Sequence, residues 1–306
     1  MKILPFIKSL VTSPARSIRK REVKNDIINT SQSNKGVANI YRKNPNNAGD
    51  LYSSPINYFP KLGNIEVDIF DFKNSEENGI ASVISGNSLV IGGGGLLNRW
   101  VDTVFGGCYR KETFEKLGAR GKKTVLWGVG HNSKSRKDFK KLERYNINPA
   151  NFGLTGTRDH SLTPNWVPCV SCMHPLFDSK SASRQEIGII LHEKTYNKAR
   201  ILSEFEGVPL ISNTTDIEKY VGFIKDSEHI ITNSYHAMYW GILLEKKVLV
   251  IPNSSKFFDF KYDPVFSTYE DCLKDIKRSR SYSGVLEECR ERNLDFADKV
   301  FNYLNL

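Results

Sequence analysis

Short apolar runs alternate with stretches of helical spacing along almost the whole chain. VANIY (37–41), NIEVDIFDF (64–72), SLVIGGGG (88–95) and KTVLWGVG (123–130) read as strands before residue 175. EIGIILHEK, VPLISN, HIITNS and KVLVIPN read as strands after it. Helical spacing lies between them in GIASVIS, LLNRWVDTVFGGCYRKETFEKLGARG, SRKDFKKLERYNI, YNKARILSEFE, TDIEKYVGFIKDS and HAMYWGILLEKK. Strands this short and this apolar, separated by helices, confine the chain to βαβ units and parallel sheets. FGLTGTRDHSL reads as a strand-to-helix corner. TDIEKYV reads as a helix opened by a capping box, with Thr215 at the N-cap and Glu218 three residues later. Two further helices close the chain. NWVPCVSCMHPLFDSKSASRQ, rich in Pro, Ser and Cys, separates the halves. The expectation is an α/β fold of two Rossmann-like lobes facing a cleft: a basic arm over 1–36, an N-terminal lobe over 37–175, and a C-terminal lobe with closing helices over 176–306.

The charge balance bears on the ligand. A net charge of +10 over 306 residues suits an anionic partner: a nucleic acid, a phosphorylated small molecule, an acidic glycan or a membrane surface. The basic residues are spread over several segments, as solvated helix faces would be. No aromatic-rich basic strand or recognition helix accompanies them, which argues against nucleic acid. Five cysteines are an odd number and do not make a disulfide framework, so a reducing, cytoplasmic setting is expected. No run of about 18 apolar residues occurs. The basic arm suits a peripheral contact with the inner membrane face.

Ligands of open parallel sheets sit beyond the carboxyl ends of the strands. Four loops there stand out. VIGGGGLLNRW runs from a strand into glycines and makes a backbone anion cradle, with tight strand–helix packing as the plain alternative. It has neither a GK[ST] nor a third spaced glycine, so it is not a Walker or dinucleotide loop. NPNNAGD holds Asn47, Gly49 and Asp50, turn formers with Asp50 placed as an N-cap or a ligand group. TGTRDHSL brings Arg158, able to bind a carboxylate or phosphate in bidentate fashion or to pair with Asp159. TNSYHAMYW places Asn233, Ser234, Tyr235 and His236 at the mouth of an apolar helix. A helix N-terminus favours an anion and disfavours a protonated His, so His236 should be neutral. His131 in WGVGHN is a second strand-end His, and Lys256 follows the last strand in PNSSKF. Cys169, Cys172 and His174 carry zinc-ligand types at an unusual spacing with no second pair, and read as buried residues between the lobes. No DxD triplet points to a metal-bound sugar nucleotide.

Taken in order, Asn47-Ala48-Gly49-Asp50, Gly92 to Gly95 followed by Leu96, Arg158-Asp159 and Thr232-Asn233-Ser234-Tyr235-His236 resemble the polysaccharide pyruvyl transferase family over residues 37 to 262. The resemblance implies two lobes like those of GT-B glycosyltransferases. It implies transfer of a pyruvyl group from phosphoenolpyruvate to a sugar or lipid-linked glycan, forming a ketal on a surface polysaccharide precursor, with no metal and no organic cofactor. Three positions depart from the family pattern. Ser234 stands where many members have Arg, Ala237 where Gly is usual, and His174-Pro175 where Asp-Pro is common.

On this reading His236 is an acid/base or a phosphate contact, and Asp50 a sugar contact or second base. Arg158, Asn233, Ser234 and Tyr235 hold the donor's anionic groups, with Lys256 and His131 beside them. Gly93 and Gly94 line the acceptor side, and Asn47 and Gly49 are further substrate-binding residues. A glycosyltransferase using a nucleotide-sugar shares the architecture, and a non-catalytic glycan-binding relative is the non-enzyme alternative.

Overall fold

The computed structural model describes Ile18, Glu22 and residues 25–69, 79–97, 117–132, 149–213 and 216–306. The expected helices within 98–116 and 133–148, most of the basic arm, Cys108 and Thr215 lie outside the described residues.

The first sheet contains β1 (Val37–Tyr41), β2 (Ile65–Asp68), β3 (Ser88–Gly92), β4 (Thr124–Val129) and β5 (Leu154–Thr157), in the order β2-β1-β3-β4-β5. The second contains β6 (Gln185–Leu191), β7 (Leu210–Ser212), β8 (Ser227–Thr232), β9 (Lys247–Val250) and β10 (Val265–Phe266), in the order β10-β9-β8-β6-β7. Every pairing is parallel. Both sheets are wound alike: the first strand pairs with the second on one side and the third on the other, and the chain then runs outward. Each therefore has one point where its winding reverses, between β1 and β3 and between β6 and β8.

The two-lobed parallel reading holds, with five strands per sheet among the described residues instead of four. Thr-Gly-Thr in β5 looked like a corner because the strand is four residues long. β10 has only two residues, too few to show periodicity. The helix after β7 is also capped differently from the expected box. Asp216 is the N-cap of α3 (Ile217–Asp226), and its side chain accepts from the Lys219 amide. Asp and Ser/Thr compete for this position on nearly equal terms, and here Asp216 is one residue nearer the first apolar turn. In place of one helix over YNKARILSEFE there are two single α-turns, Glu193–Tyr196, which starts inside the expected strand EIGIILHEK, and Ala199–Leu202, followed by the 3-10 turn Ser203–Phe205.

Other helices relevant to the cleft are α1 (Ala48–Leu51), α2 (Ile80–Gly86), α4 (Tyr235–Leu243) and α5 (Val285–Leu304). All nine residues of α4 are buried, as expected for a helix apolar on every side. It is enclosed by Tyr220, Val221 and Ile224 of α3, by Cys169, Cys172 and Phe177 of the inter-lobe segment, and by Val285 and Cys289 of α5. Helix α5 serves both lobes. Its first turns join that cluster, whereas Phe296, Ala297, Val300 and Leu304 pack on Val90, Val125 and Trp127 of the N-terminal sheet. Between these halves, Asn293 accepts from Trp127 Nε1 (2.9 Å) and donates to the Pro168 carbonyl (3.2 Å). Among the described residues, no helix is long and apolar enough to cross a membrane.

Candidate active site

The two reversal points face each other across a cavity of about 360 Å³, a volume suited to a small ligand. The N-terminal lobe lines it with Asn47 and Asp50 after β1, Gly94 and Gly95 after β3, Asn132 after β4 and Arg158 after β5. The C-terminal lobe adds His192, Lys194 and Thr195 after β6, and Ser234, Tyr235 and His236 after β8. Asn253, Ser254 and Lys256 follow β9. Residues as far apart in sequence as Asn47 and Lys256 thus meet because each sits at a strand's carboxyl end.

Arg158 is the most constrained of them. It is 2% exposed, and its guanidinium carbon lies 3.7 Å from the centre of the Tyr235 ring. That contact joins the lobes and orients the guanidinium plane. Gly130 permits it, since a Cβ there would lie 2.8 Å from Arg158 Cγ. Nε and Nη2 of Arg158 are buried and make no hydrogen bond among the described residues. A buried cation with unsatisfied donors is costly in isolation and calls for an anion.

Asp50 accepts from Asn47 Nδ2 (3.0 Å). Withdrawal from water raises its carboxyl from 3.8 to about 6, against the opposing pull of Arg42, Lys256, Asn44 and Arg158. His236 is 7% exposed. Burial, followed by the charges of Arg158 and Lys256, lowers its imidazole well below the ordinary value and favours the neutral ring, a different cause from the helix dipole on which the expectation rested. Its Nε2 lies 3.6 Å from Cys169 Sγ. Ser234 is the N-cap of α4, but its side chain makes no capping bond. Its hydroxyl accepts from Tyr220 OH (3.2 Å), and its carbonyl accepts from the Met238 amide (3.1 Å). The amides of Tyr235, His236 and Ala237 precede that first turn bond and present the positive end of the helix.

Four expected ligand residues do not line this cavity. Asn233 is fully buried and spent on the fold: its Oδ1 accepts from the His192 amide (2.7 Å), and its Nδ2 donates to Thr195 Oγ1 and Tyr269 OH. His131 is turned behind the Arg158 corner, with Nδ1 2.8 Å from Asp159 Oδ1 and its amide donating to Asp159 Oδ2. Gly93 (φ 71°) abuts Ser53, where a Cβ would collide with the carbonyl. Gly49 lies against His236, and a Cβ there would run into the ring. These two glycines act by close approach rather than by touching a ligand. Gly94 (φ 72°) faces open space at the cavity.

The sequence reading held Gly95 only within the glycine run and missed Asn132, His192, Lys194, Thr195, Asn253 and Ser254. Each follows a strand named above, so the strand-end rule would have found them. Asn132 Oδ1 and Ser254 Oγ are buried without a hydrogen-bond partner among the described residues. Cys169, Cys172 and His174 diverge: Cys169 faces His236, Cys172 Sγ accepts from Asn293 Nδ2 (3.4 Å), and His174 Nδ1 accepts from the Leu176 amide. The described cysteines are free and buried.

A solved structure of a functionally uncharacterized protein from Klebsiella pneumoniae subsp. pneumoniae NTUH-K2044 is similar at 16% identity, covering 81% of this chain and 92% of that one, with a TM-score of 0.39. No curated protein matches. Residues 172–255, which carry the cavity loops after β6 and β8 and the loop after β9 short of Lys256, match the family model described as polysaccharide pyruvyl transferase, the family that the ordered motifs resemble.

Proposed function

We propose that the protein transfers the pyruvyl group of phosphoenolpyruvate to two hydroxyls of a sugar in a surface polysaccharide or its precursor, forming a cyclic ketal and releasing phosphate. The observation that carries this reading is the buried Arg158 guanidinium, with Nε and Nη2 unsatisfied among the described residues, in a cavity that also holds Lys256, Lys194 and the α4 N-terminus. The donor has two anionic groups, and the cavity offers two cationic regions. Arg158 takes one group by its planar fork, and Lys256 with the α4 amides takes the other.

Asp50 is the group fitted to move protons. With a value of about 6 it is partly protonated near neutrality. It gives its proton to C3 of the enol as C2 becomes electrophilic, and the first sugar hydroxyl adds at C2 and returns a proton to Asp50. The C2–O bond to phosphate then breaks. The second hydroxyl closes the ketal, its proton leaving with the phosphate. Ser254 Oγ and Asn132 Oδ1 are polar groups suited to the sugar hydroxyls. The positive charge near the leaving phosphate stabilises the charge that develops there.

Thermal stabilisation tests the donor before the acceptor is known. Phosphoenolpyruvate at a hundred times its dissociation constant should add about 2.7 kcal/mol, and Arg158→Ala should lose this. Stabilisation by UDP or a UDP-sugar, with none by phosphoenolpyruvate, would replace this reading with nucleotide-sugar glycosyl transfer.

A further inference from the structure

A neutral imidazole has one N–H and one lone pair, and the partner of one nitrogen fixes the state of the other. At His236 the partner of Nε2 is a thiol. Cys169 Sγ lies 3.6 Å from Nε2 and 3.3 Å from Ser171 Oγ, and Ser171 Oγ accepts from Trp240 Nε1 at 2.9 Å. Cys169, Ser171 and Trp240 are all fully buried.

The polarity of this row follows from its hydrogens. An indole nitrogen only donates, so Ser171 Oγ is the acceptor at that end. The Ser171 hydroxyl hydrogen then needs an acceptor of its own, and among the described residues the remaining side-chain contact of that oxygen is Cys169 Sγ. The thiol hydrogen is left to point at Nε2. Burial raises the Cys169 thiol above its ordinary value, so the S–H is retained at neutral pH. With Nε2–H donating to sulfur instead, either the serine hydrogen or the thiol hydrogen would lack an acceptor among the described side chains of a closed site.

We infer that Cys169 is a positioning residue: the Trp240–Ser171–Cys169 row holds His236 in the tautomer protonated at Nδ1, so the cleft meets a neutral N–H donor instead of an imidazole lone pair. Nδ1 lies toward Gly49, the neighbour of Asp50 on α1. This places proton transfer on Asp50 and leaves His236 to polarise by hydrogen bonding, a division that a neutral imidazole at a helix N-terminus can support. The inference rests on the phosphoenolpyruvate reading only for what Nδ1–H meets, an oxygen of the donor's phosphate or carboxylate.

The test uses the full chain with ¹⁵N-labelled histidine. Long-range ¹H–¹⁵N spectra distinguish the two neutral tautomers, and His236→Asn identifies the signal among six histidines. The wild type should show the proton on Nδ1, and Cys169→Ala and Ser171→Ala should each give a mixture. A proton on Nε2 in the wild type overturns the inference. So does an unchanged His236 signal in whichever of the two variants folds.

Phosphoenolpyruvate stabilisation adds a second readout. Asn places an amide N–H near Nδ1 and Gln places one near Nε2. His236→Asn should therefore bind within about tenfold of wild type and His236→Gln more weakly; the reverse order counts against the assignment. If phosphoenolpyruvate stabilises no protein, wild type included, the transfer reading fails, while the spectra still decide the tautomer.

Discussion

The two lobes wind their sheets in the same order, yet they furnish the cleft by different means. The C-terminal lobe presents the start of α4, a helix buried on all sides and held by Asn233 bonds to the loops around it. The N-terminal lobe presents side chains on turns: Asp50 on a four-residue helix and Arg158 just beyond a four-residue strand. Both lobes bring charge, but the C-terminal one adds a fixed helix dipole to His236, Lys194 and Lys256, whereas the N-terminal one brings the Asp50 carboxyl and the Arg158 fork. Shared topology determines where a ligand sits, and the local chain determines what it meets there.

The largest predicted effect falls on the turn-borne side. Arg158→Ala should lower kcat/KM for transfer about a thousandfold, the scale for removing a buried donor from developing charge. Arg158→Lys should recover little of this, because an ammonium neither forks nor stacks on Tyr235 as a guanidinium does. Near-normal turnover in Arg158→Lys would mean that charge alone suffices.

Asp50→Asn should lower kcat at least about a hundredfold while stabilising the fold at higher pH. The folded carboxyl value of about 6 lies above the ordinary 3.8. The stabilising contribution of the protonated form is therefore full below about 4 and is lost as the pH rises through about 6. Unfolding at pH 8 should show the variant more stable by roughly 2–3 kcal/mol, with the gain fading toward pH 4. Equal stability at pH 8 would show that Asp50 is better solvated than its position indicates.

Gly49→Ala tests the meeting of the two sides. The added methyl would displace the His236 ring, at a cost of about 1–3 kcal/mol in stability and most of the stabilisation by phosphoenolpyruvate. An unchanged thermal shift would detach His236 from the donor site. The smallest functional effect is expected inside the rigid lobe. Asn233→Ala should cost about 1–3 kcal/mol in chemical denaturation and leave kcat/KM within about tenfold. A collapse of activity without loss of stability would return Asn233 to the ligand.

The alternation of apolar runs made most of the architecture legible, because buried parallel strands such as Val-Leu-Trp in β4 contain little but core residues. The weak points were short elements. β10 and the turns after β6 are set by tertiary contacts that local periodicity does not record. Strand-end position also located the cleft, yet it did not separate residues that face a ligand from those that brace the ones that do. Asn233 and Ser234 are adjacent at the same helix mouth. Only the partners of Asn233, forty-one residues upstream and thirty-six downstream, show which one is committed to the fold. His131 looked like a ligand for the same reason and is held by Asp159, whose place opposite it depends on the β4–β5 pairing.

Helix α5 also sets a schedule for the protein's own synthesis. The Trp127–Asn293 hydrogen bond joins residues 166 positions apart. At about 5–20 residues per second, a ribosome needs on the order of 10–30 s to cover that distance. For much of that interval the N-terminal sheet has left the ribosomal tunnel while the Val90, Val125 and Trp127 face still lacks its helix. A nascent chain in that condition is a natural client for a holding chaperone, and slowing translation after residue 157 should increase its aggregation even though the finished sequence is unchanged.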